Sequence, residues 1–396
     1  MSAKVAVVIP NHKENLSDLE KISLDRCRKV LGRYPLIHVV PDGKNFSYFA
    51  AGEMVAHFPA QYFQTLRGYN QLSISPIFYE PFSDFDYMLI YQLDAFVFYD
   101  ALEEFCSLGY DYIGAPWPYF VWNSSREPKT PRVGNGGFCL RKVSACHKLL
   151  TTASHSPNWA NTLATCDEDT FFSSCGVTEE LNFHVAPVEV AKLFSMEWYP
   201  DRHVRKLGGL PFGCHNWIKF AADFYVETFR HFGYDLRPFR SQMGTVDCRE
   251  KTAIHLTDVA IERLLRRIER GLSIADFLPT KNFSSVRVIR SPKAMKILAQ
   301  LLTEENSLAD KIFVYDEKVW TNLLRDVTRE NLPHLIVVAD YDASLVKAVE
   351  RQGLRYGEDF ISFQREYMKY CEEIFRRLVS SVRNEELGVN FTSPKL

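Results

Sequence analysis

The stretch that decides the fold of this chain is Tyr87-Met88-Leu89-Ile90-Tyr91-Gln92-Leu93-Asp94-Ala95-Phe96-Val97-Phe98. It opens with an apolar run that is shorter than a helix needs, a pattern typical of a strand buried on both faces. Gln92 and Asp94 then interrupt the run. Ligands of open α/β sheets bind at the carboxyl ends of the strands, so the stretch predicts a carboxylate at that edge. The alternative is that Asp94 caps the next turn or helix.

Two similar apolar runs precede this strand, at 5–9 and 36–40. Between them, Ser17 and Glu20 form a capping box at the start of a helix. Gly68-Tyr69-Asn70 opens a further helix. The order strand, helix, strand, helix, strand predicts an α/β fold with a mostly parallel sheet flanked by helices. The first strand is not followed by Gly-x-Gly-x-x-Gly, so a dinucleotide-binding fold is not indicated.

Length and composition set the broad class of protein. A chain of 396 residues predicts two or three domains, and 46% hydrophobic with 24% charged residues is typical of a globular protein. The net charge of −2 gives no electrostatic reason to expect nucleic acid as a partner. The nine cysteines contain no Cys-x-x-Cys pair and indicate a reducing compartment. We see no signal peptide or transmembrane stretch and expect a cytoplasmic protein.

Three polar clusters follow in the same half of the chain, Gly134-Asn135-Gly136-Gly137-Phe138, Asp167-Glu168-Asp169 and Phe212-Gly213-Cys214-His215. Glycines permit close approach of a backbone to a ligand, although they also form ordinary tight turns. Adjacent carboxylates shift one another's pKa when buried, but acids are also favoured at a helix N-terminus. A lone histidine is more often a hydrogen-bonded structural residue than a metal ligand.

Together these motifs and their order resemble a family of bacterial glycosyltransferase-like proteins of GT-A type. The resemblance covers most of the first 235 residues. It rests on Val7-Val8-Ile9-Pro10, Gly68-Tyr69-Asn70, Ile90-Tyr91-Gln92-Leu93-Asp94-Ala95-Phe96, the segment 109–117, Gly134-Asn135-Gly136-Gly137-Phe138, Glu168-Asp169 and Phe212-Gly213-Cys214-His215.

The resemblance implies a divalent metal bound to the diphosphate of a nucleotide-sugar. GT-A enzymes bind that metal with an Asp-x-Asp motif at the end of a central strand. Asp94 matches the last position of the motif, whereas Gln92 stands where the first acid would be. His215 is the second metal ligand that the resemblance implies. A nitrogen ligand favours Mn²⁺ over Mg²⁺.

The resemblance also assigns a base and a set of donor-binding residues. Asp169 is the candidate general base of an inverting transfer, with Glu168 as the second choice. The expected donor-binding residues are Pro10, Asn11, Glu14, Tyr69, Asn70, Gln92, Asp94, Gly136 and Gly137. Pro10, Asn11 and Glu14 are expected to face the base of the nucleotide. The two glycines are expected to let the backbone approach the sugar.

The character of the sequence changes after residue 235. We predict a GT-A-like domain over 1–235, a helical linker over 236–283 and a small Rossmann-like α/β module over 284–396. The linker contains a helical pattern over 256–270, and the last helix, 366–382, is expected to pack on the module. The module has no phosphate-binding glycine loop, so we expect it to serve self-association or docking to a protein partner.

The function implied is that of a hexosyltransferase-like glycosyltransferase, metal-dependent and inverting. It would move a sugar from a nucleotide-sugar donor to a hydroxyl of a glycan or glycoconjugate. Two alternatives stay open, a retaining glycosyltransferase and a catalytically weak protein that binds sugar or nucleotide and acts as a scaffold. The missing first acid at position 92 favours the second alternative.

Overall fold

The computed structural model describes residues 3–117, 133–154 and 166–244, four later strands, and single residues between 347 and 379. In the first part the strands are β1 (Val5–Pro10), β2 (Leu36–Pro41), β3 (Met54–Phe58), β4 (Tyr87–Tyr91), β5 (Phe96–Val97), β6 (Tyr112–Ile113), β7 (Phe138–Lys142), β8 (Ser195–Met196) and β9 (Gly213–Cys214). The helices are α1 (Asp18–Leu31), α2 (Leu66–Ser73), α3 (Pro76–Tyr79), α4 (Leu102–Ser107), α5 (Val143–Ser154), α6 (Glu168–Cys175), α7 (Val188–Phe194), α8 (Pro200–Leu207) and α9 (Ala222–Arg230).

A six-stranded sheet in the order β3-β2-β1-β4-β7-β6 forms the centre of this part. Strands β3, β2, β1 and β4 run parallel, and β7 is antiparallel to both of its neighbours. The predicted α/β fold with a mostly parallel sheet is therefore confirmed. Strand β3 was not predicted, because Met54 is exposed and the strand has no continuous apolar run.

The central strands are buried on both faces. In β1, Val7 and Ile9 belong to one core cluster and Ala6 and Val8 to the other. Strand β4 alternates in the same way, and all five of its residues are buried. Side chains of a strand point alternately to the two faces of the sheet, so a continuous apolar run fills two cores at once.

The ends of the first two helices follow local sequence signals. Ser17 and Glu20 form the predicted capping box at the start of α1, in which each side chain bonds the backbone N–H of the other residue. Helix α2 begins at Leu66, slightly before the predicted opening at Gly68, because the Thr65 side chain accepts the Gly68 N–H and caps it.

A second, small sheet in the order β5-β9-β8 lies beyond the carboxyl end of β4. Strands β8 and β9 are parallel, and β5 is antiparallel to β9. The chain passes from β4 into this sheet through a turn at Gln92, where Ala95 N–H donates to the Gln92 carbonyl. This turn holds Asp94 between the two sheets.

The later strands are β10 (Ser285–Ile289), β11 (Ile312–Tyr315), β12 (His334–Val338) and β13 (Phe360–Ser362). They form a parallel sheet in the order β11-β10-β12-β13. The predicted linker helix over 256–270 lies outside the described residues. No helix within the described residues is both long and apolar enough to cross a bilayer.

The last helix contacts the predicted module and also the first part of the chain. Lys369 Nζ lies 5.4 Å from the centre of the Tyr356 ring, which is within 284–396. Residues 369, 372, 373, 376 and 379 are helical, and Val379 is buried in the same core cluster as β1 and β4. Arg376 donates to the Asp100 carbonyl and lies 3.5 Å from the Glu104 carboxylate. The helix therefore contacts the first part of the chain, just after β5.

Candidate functional site

A cleft of about 540 Å³ opens at the carboxyl ends of β1 and β4. Five of the predicted site residues line it, Pro10, Asn11, Tyr69, Gln92 and Asp94, together with His12, Lys13, Ser17, Glu20, Phe63, Gln64, Thr65, Leu66, Leu93, Ile218 and Lys219. The other predicted residues do not line it, namely Glu14, Asn70, Gly136, Gly137, Glu168, Asp169 and His215. The parallel strands thus place a cleft at the edge of the sheet that the sequence indicated.

Gln92 and Asp94 line the cleft, and the buried side chain of His215 lies directly behind them. His215 Nε2 lies 3.1 Å from Asp94 Oδ1 and 3.3 Å from Gln92 Oε1. Lys219 Nζ is 3.7 Å from the other oxygen of Asp94 and is mostly exposed. The two predicted metal ligands, Asp94 and His215, are therefore neighbours in space although they are far apart in the chain.

The small sheet explains this convergence. Asp94 stands just before β5, and His215 follows β9 directly. Because β5 and β9 are antiparallel, the start of one strand lies beside the end of the other. Trp217 stabilises the turn that contains Asp94 through two hydrogen bonds. Its backbone N–H donates to the Asp94 carbonyl, and its indole Nε1–H donates to the Ala95 carbonyl.

Charge pairing shifts the pKa of both partners. Burial raises the pKa of Asp94, but the positive charges of His215 and Lys219 outweigh burial and lower that pKa to about 2. Burial lowers the pKa of His215, but the carboxylates of Asp94 and Glu197 raise it to about 10. Without a cation, Asp94 and His215 therefore form an ion pair, and a metal ion at Nε2 would have to replace the proton between them.

Glu197 is a site residue that the sequence analysis missed. Its Oε1 lies 3.4 Å from His215 Nδ1, the ring nitrogen that faces away from Asp94. Glu197 follows β8, a two-residue strand beside β9, so the parallel pairing of β8 and β9 brings Glu197 next to His215. A lone acid before Trp198 carries no motif, and only this pairing reveals it.

The glycine loop, defined here as residues 134–137, packs tightly against two of the site residues. A Cβ atom on Gly136 would lie 1.4 Å from Glu168 Oε1, and one on Gly137 would lie 2.0 Å from His215 Nε2. The side chains of Glu168 and His215 therefore fill the space beside these two glycines, so neither position has room for a Cβ atom.

Glu168 and Asp169 lie in the first turn of α6, which is where the alternative interpretation, a helix N-terminus, places them. Asp169 is partly buried and accepts the backbone N–H groups of Asn135 and Thr170, at 3.1 and 2.7 Å. Glu168 is buried and lies 3.7 Å from the fully buried guanidinium of Arg141. Burial raises the pKa of Glu168 despite the opposing charge of Arg141.

Two predicted donor-binding asparagines already have protein partners. Asn11 donates from Nδ2 to the Tyr48 hydroxyl and accepts the Lys13 N–H at Oδ1. Asn70 donates to Asp167 Oδ1 at 2.7 Å and so ties α2 to the start of α6. Both side chains therefore hold the walls of the site in place, and Glu14 is exposed outside the cleft.

The donor atoms around Asp94 are too few to hold a divalent cation without a bound ligand. Within the described residues, no group of three or more His, Cys, Asp or Glu side chains could hold a metal ion. Glu197 contacts the far nitrogen of His215, which leaves Asp94, Gln92 and His215 Nε2 as a partial donor set. Such a set needs further oxygen ligands, which a bound diphosphate can supply.

Comparison with known proteins places part of the chain beside one family. Residues 53–215 are similar to a family described as "Protein of unknown function (DUF5672)". The matched segment contains Asp94, the glycine loop, Asp169, Glu197 and His215, and it begins after β1. No curated protein is significantly similar to the chain. That description carries no activity, so the function is argued from the geometry of the site.

Proposed function

We propose that the chain is a metal-dependent, inverting glycosyltransferase that uses a nucleotide-sugar and a hydroxyl acceptor. The observation that carries the proposal is the contact of His215 with Asp94 and Gln92, two residues that line a cleft at the carboxyl edge of the sheet. A cleft of about 540 Å³ has room for a nucleotide-sized ligand.

Asp94, Gln92 and His215 would hold the cation with two oxygens and one nitrogen, a set that favours Mn²⁺ over Mg²⁺. A bound divalent cation neutralises the charge that develops on a leaving diphosphate. Lys219 and Lys13, both at the cleft, add positive charge for the phosphates. Phe63 and Tyr69, also in the lining, offer flat surfaces for the base or the sugar ring.

Asp169 is the proposed base. Its carboxylate would take the proton from the acceptor hydroxyl while the hydroxyl oxygen forms a bond to the anomeric carbon. The bond from that carbon to the diphosphate oxygen breaks at the same time, and the diphosphate leaves with the electron pair. Attack opposite the leaving group inverts the anomeric configuration. Glu168 suits this role less well, because it is buried against Arg141 and Gly136.

The second candidate function is binding of a nucleotide or sugar without turnover. It is favoured by Gln92, an amide where the metal site of GT-A enzymes has its first acid. A single carboxylate on this turn gives the cation one charged ligand from the strand, so the two candidates differ in turnover rather than in the ligand they bind.

Isothermal titration of a panel of nucleotide-sugars, with and without Mn²⁺, tests the proposal. We expect Mn²⁺-dependent binding of at least one donor, loss of that binding in Asp94→Asn, and slow donor hydrolysis in the intact protein. The matched control is Asp84→Asn, an exposed aspartate that precedes β4 at the opposite edge of the sheet. Absence of binding for every donor, or equal affinity in Asp94→Asn, would overturn the proposal.

A further inference from the structure

Glu197 joins the two halves of the site through a continuous series of contacts. Its Oε2 accepts a hydrogen bond of 2.8 Å from Asn135 Nδ2, and its Oε1 accepts one from Asn216 Nδ2. The same Oε1 lies 3.4 Å from His215 Nδ1. Asn135 in turn donates its backbone N–H to Asp169. A single carboxylate thus links His215, through Asn135, to the candidate base Asp169.

The two asparagines that contact Glu197 have uncommon backbone conformations. Asn135 and Asn216 both adopt positive φ, at 72° and 55°, in the left-handed region that asparagine tolerates better than most residues. Asn135 is also buried and accepts the Gly137 N–H at its Oδ1. Both polar atoms of the Asn135 side-chain amide are therefore used, the oxygen to shape the glycine loop and the nitrogen to contact Glu197.

The contacts require a carboxylate at position 197. Two asparagine amides donate to the two oxygens, and His215 Nδ1, which also lies 3.2 Å from Asn216 Nδ2, faces Oε1. A carboxylate accepts at both oxygens, whereas a glutamine would present its own amide donor to one of them. Because the Glu197 side chain is only 12% exposed, water cannot readily replace a lost partner.

We propose that Glu197 is a positioning residue that orients His215 towards Asp94 and Gln92 and fixes the glycine loop beside Asp169. A metal-binding histidine commonly has a carboxylate on its other nitrogen, which orients the ring and makes it a stronger ligand. The proposal rests on the proposed function for its consequence at the metal, but the orientation of His215 is a property of the protein by itself.

The first experiment measures Mn²⁺-dependent affinity for nucleoside diphosphates by isothermal titration. In Glu197→Gln we expect the affinity to fall roughly 10–100-fold, the usual effect of removing an outer partner of a metal ligand. The control Glu189→Gln changes an exposed acid on α7 that pairs with Lys192, and it should bind as the unmodified protein does. Unchanged affinity in Glu197→Gln would overturn the proposal.

A paired variant separates positioning from loss of structure. Asn135→Asp alone sets two carboxylates against each other and should weaken binding. Asn135→Asp combined with Glu197→Gln restores one donor and one acceptor between these positions, keeps the total charge, and leaves an oxygen for the Gly137 N–H. We expect it to recover much of the affinity lost in Glu197→Gln. A double variant as weak as the sum of the two single variants would contradict the proposal.

The last measurement needs neither metal nor nucleotide. In protein labelled with ¹⁵N-histidine, the Nδ1 resonances of His215 report its contact with Glu197, and His215→Gln assigns them. We expect these resonances to shift in Glu197→Gln and to stay unchanged in Glu189→Gln. If the intact protein binds no nucleotide, the proposed function fails while this test still decides the role of Glu197. Unshifted His215 resonances would reject that role.

Discussion

At the scale of single residues, the two adjacent acids of α6 have different environments. Glu168 is buried and lies 3.7 Å from Arg141, whereas Asp169 is partly buried and bonds two backbone N–H groups. The sequence presents them as an equivalent pair. The helix turns successive side chains in different directions, so Glu168 becomes part of the core and Asp169 stays partly exposed.

The prediction at this scale concerns Asp169. Asp169→Asn keeps the size of the side chain and removes its basicity, so transfer should slow by roughly 10²–10⁴-fold while donor affinity changes little. The measurement is turnover with the donor found by titration. Asp167→Asn, which changes an exposed acid bonded to Asn70, should have a much smaller effect. A product that keeps the donor's anomeric configuration, seen by NMR, would rule out this role for Asp169.

At the scale of elements, glycine is needed at positions 136 and 137 because neighbouring side chains lie close to the backbone, and not because the backbone has a positive φ. Gly136 and Gly137 do not have positive φ, unlike Gly43 at 73°. What excludes a side chain from them is Glu168 and His215, which occupy the positions that a Cβ atom would take. The cluster was recognisable in the sequence, but what it approaches was not.

Comparison of two glycine variants tests this reading of the loop. Gly43→Ala has open space around it and should lose about 1–2 kcal/mol of unfolding free energy through its left-handed backbone. Gly136→Ala must displace the buried Glu168 carboxylate, whose Oε1 is 1.4 Å from the new Cβ, and should cost more than Gly43→Ala. Urea denaturation measures both. An equal or smaller cost for Gly136→Ala would show that Glu168 moves aside easily.

At the scale of the whole molecule, the C-terminal helix contributes to the core of the first part of the chain. Val379 is buried there, and Arg376 contacts Asp100 and Glu104, which follow β5. The turn that holds Asp94 leads directly into β5. The C-terminal helix thus contacts the segment that directly follows β5.

This contact predicts a dependence of stability on pH. Burial raises the pKa of Glu372 to about 7, although Arg376, Arg26 and Lys369 oppose the shift. Because its pKa is raised in the folded state, ionisation of Glu372 costs stability as pH rises from its unfolded pKa of about 4.5 through 7. Glu372→Gln should remove that loss. The melting temperature of Glu372→Gln, relative to that of the unmodified protein, should therefore rise between about pH 5 and pH 8.

The control for this prediction is Glu373→Gln, which changes the exposed neighbouring acid. Its melting temperature should follow that of the unmodified protein across the same pH range. Parallel curves for Glu372→Gln and the unmodified protein would mean that Glu372 is not held in a buried environment by the docked helix.

The sequence by itself determined the central strands, the capping box of α1 and the edge of the sheet at which Asp94 lies. Each of these follows from short-range patterns, since an apolar run is buried on both faces wherever the chain folds as a parallel sheet. The parallel sheet of the C-terminal module was predictable for the same reason. The roles of Asp94, His215 and Asp169 in catalysis stay predictions.

Only the tertiary structure decided which side chains meet at the site. Glu197 reaches His215 because β8 and β9 pair, and two-residue strands leave no periodicity in the sequence. Asn11, which was expected to contact the nucleotide-sugar, instead donates a hydrogen bond to the Tyr48 hydroxyl. Val379 lies in a core formed by distant strands. These contacts join positions far apart in the chain, where no local pattern records the partner, and only the packing of sheets, loops and helices against one another selects them.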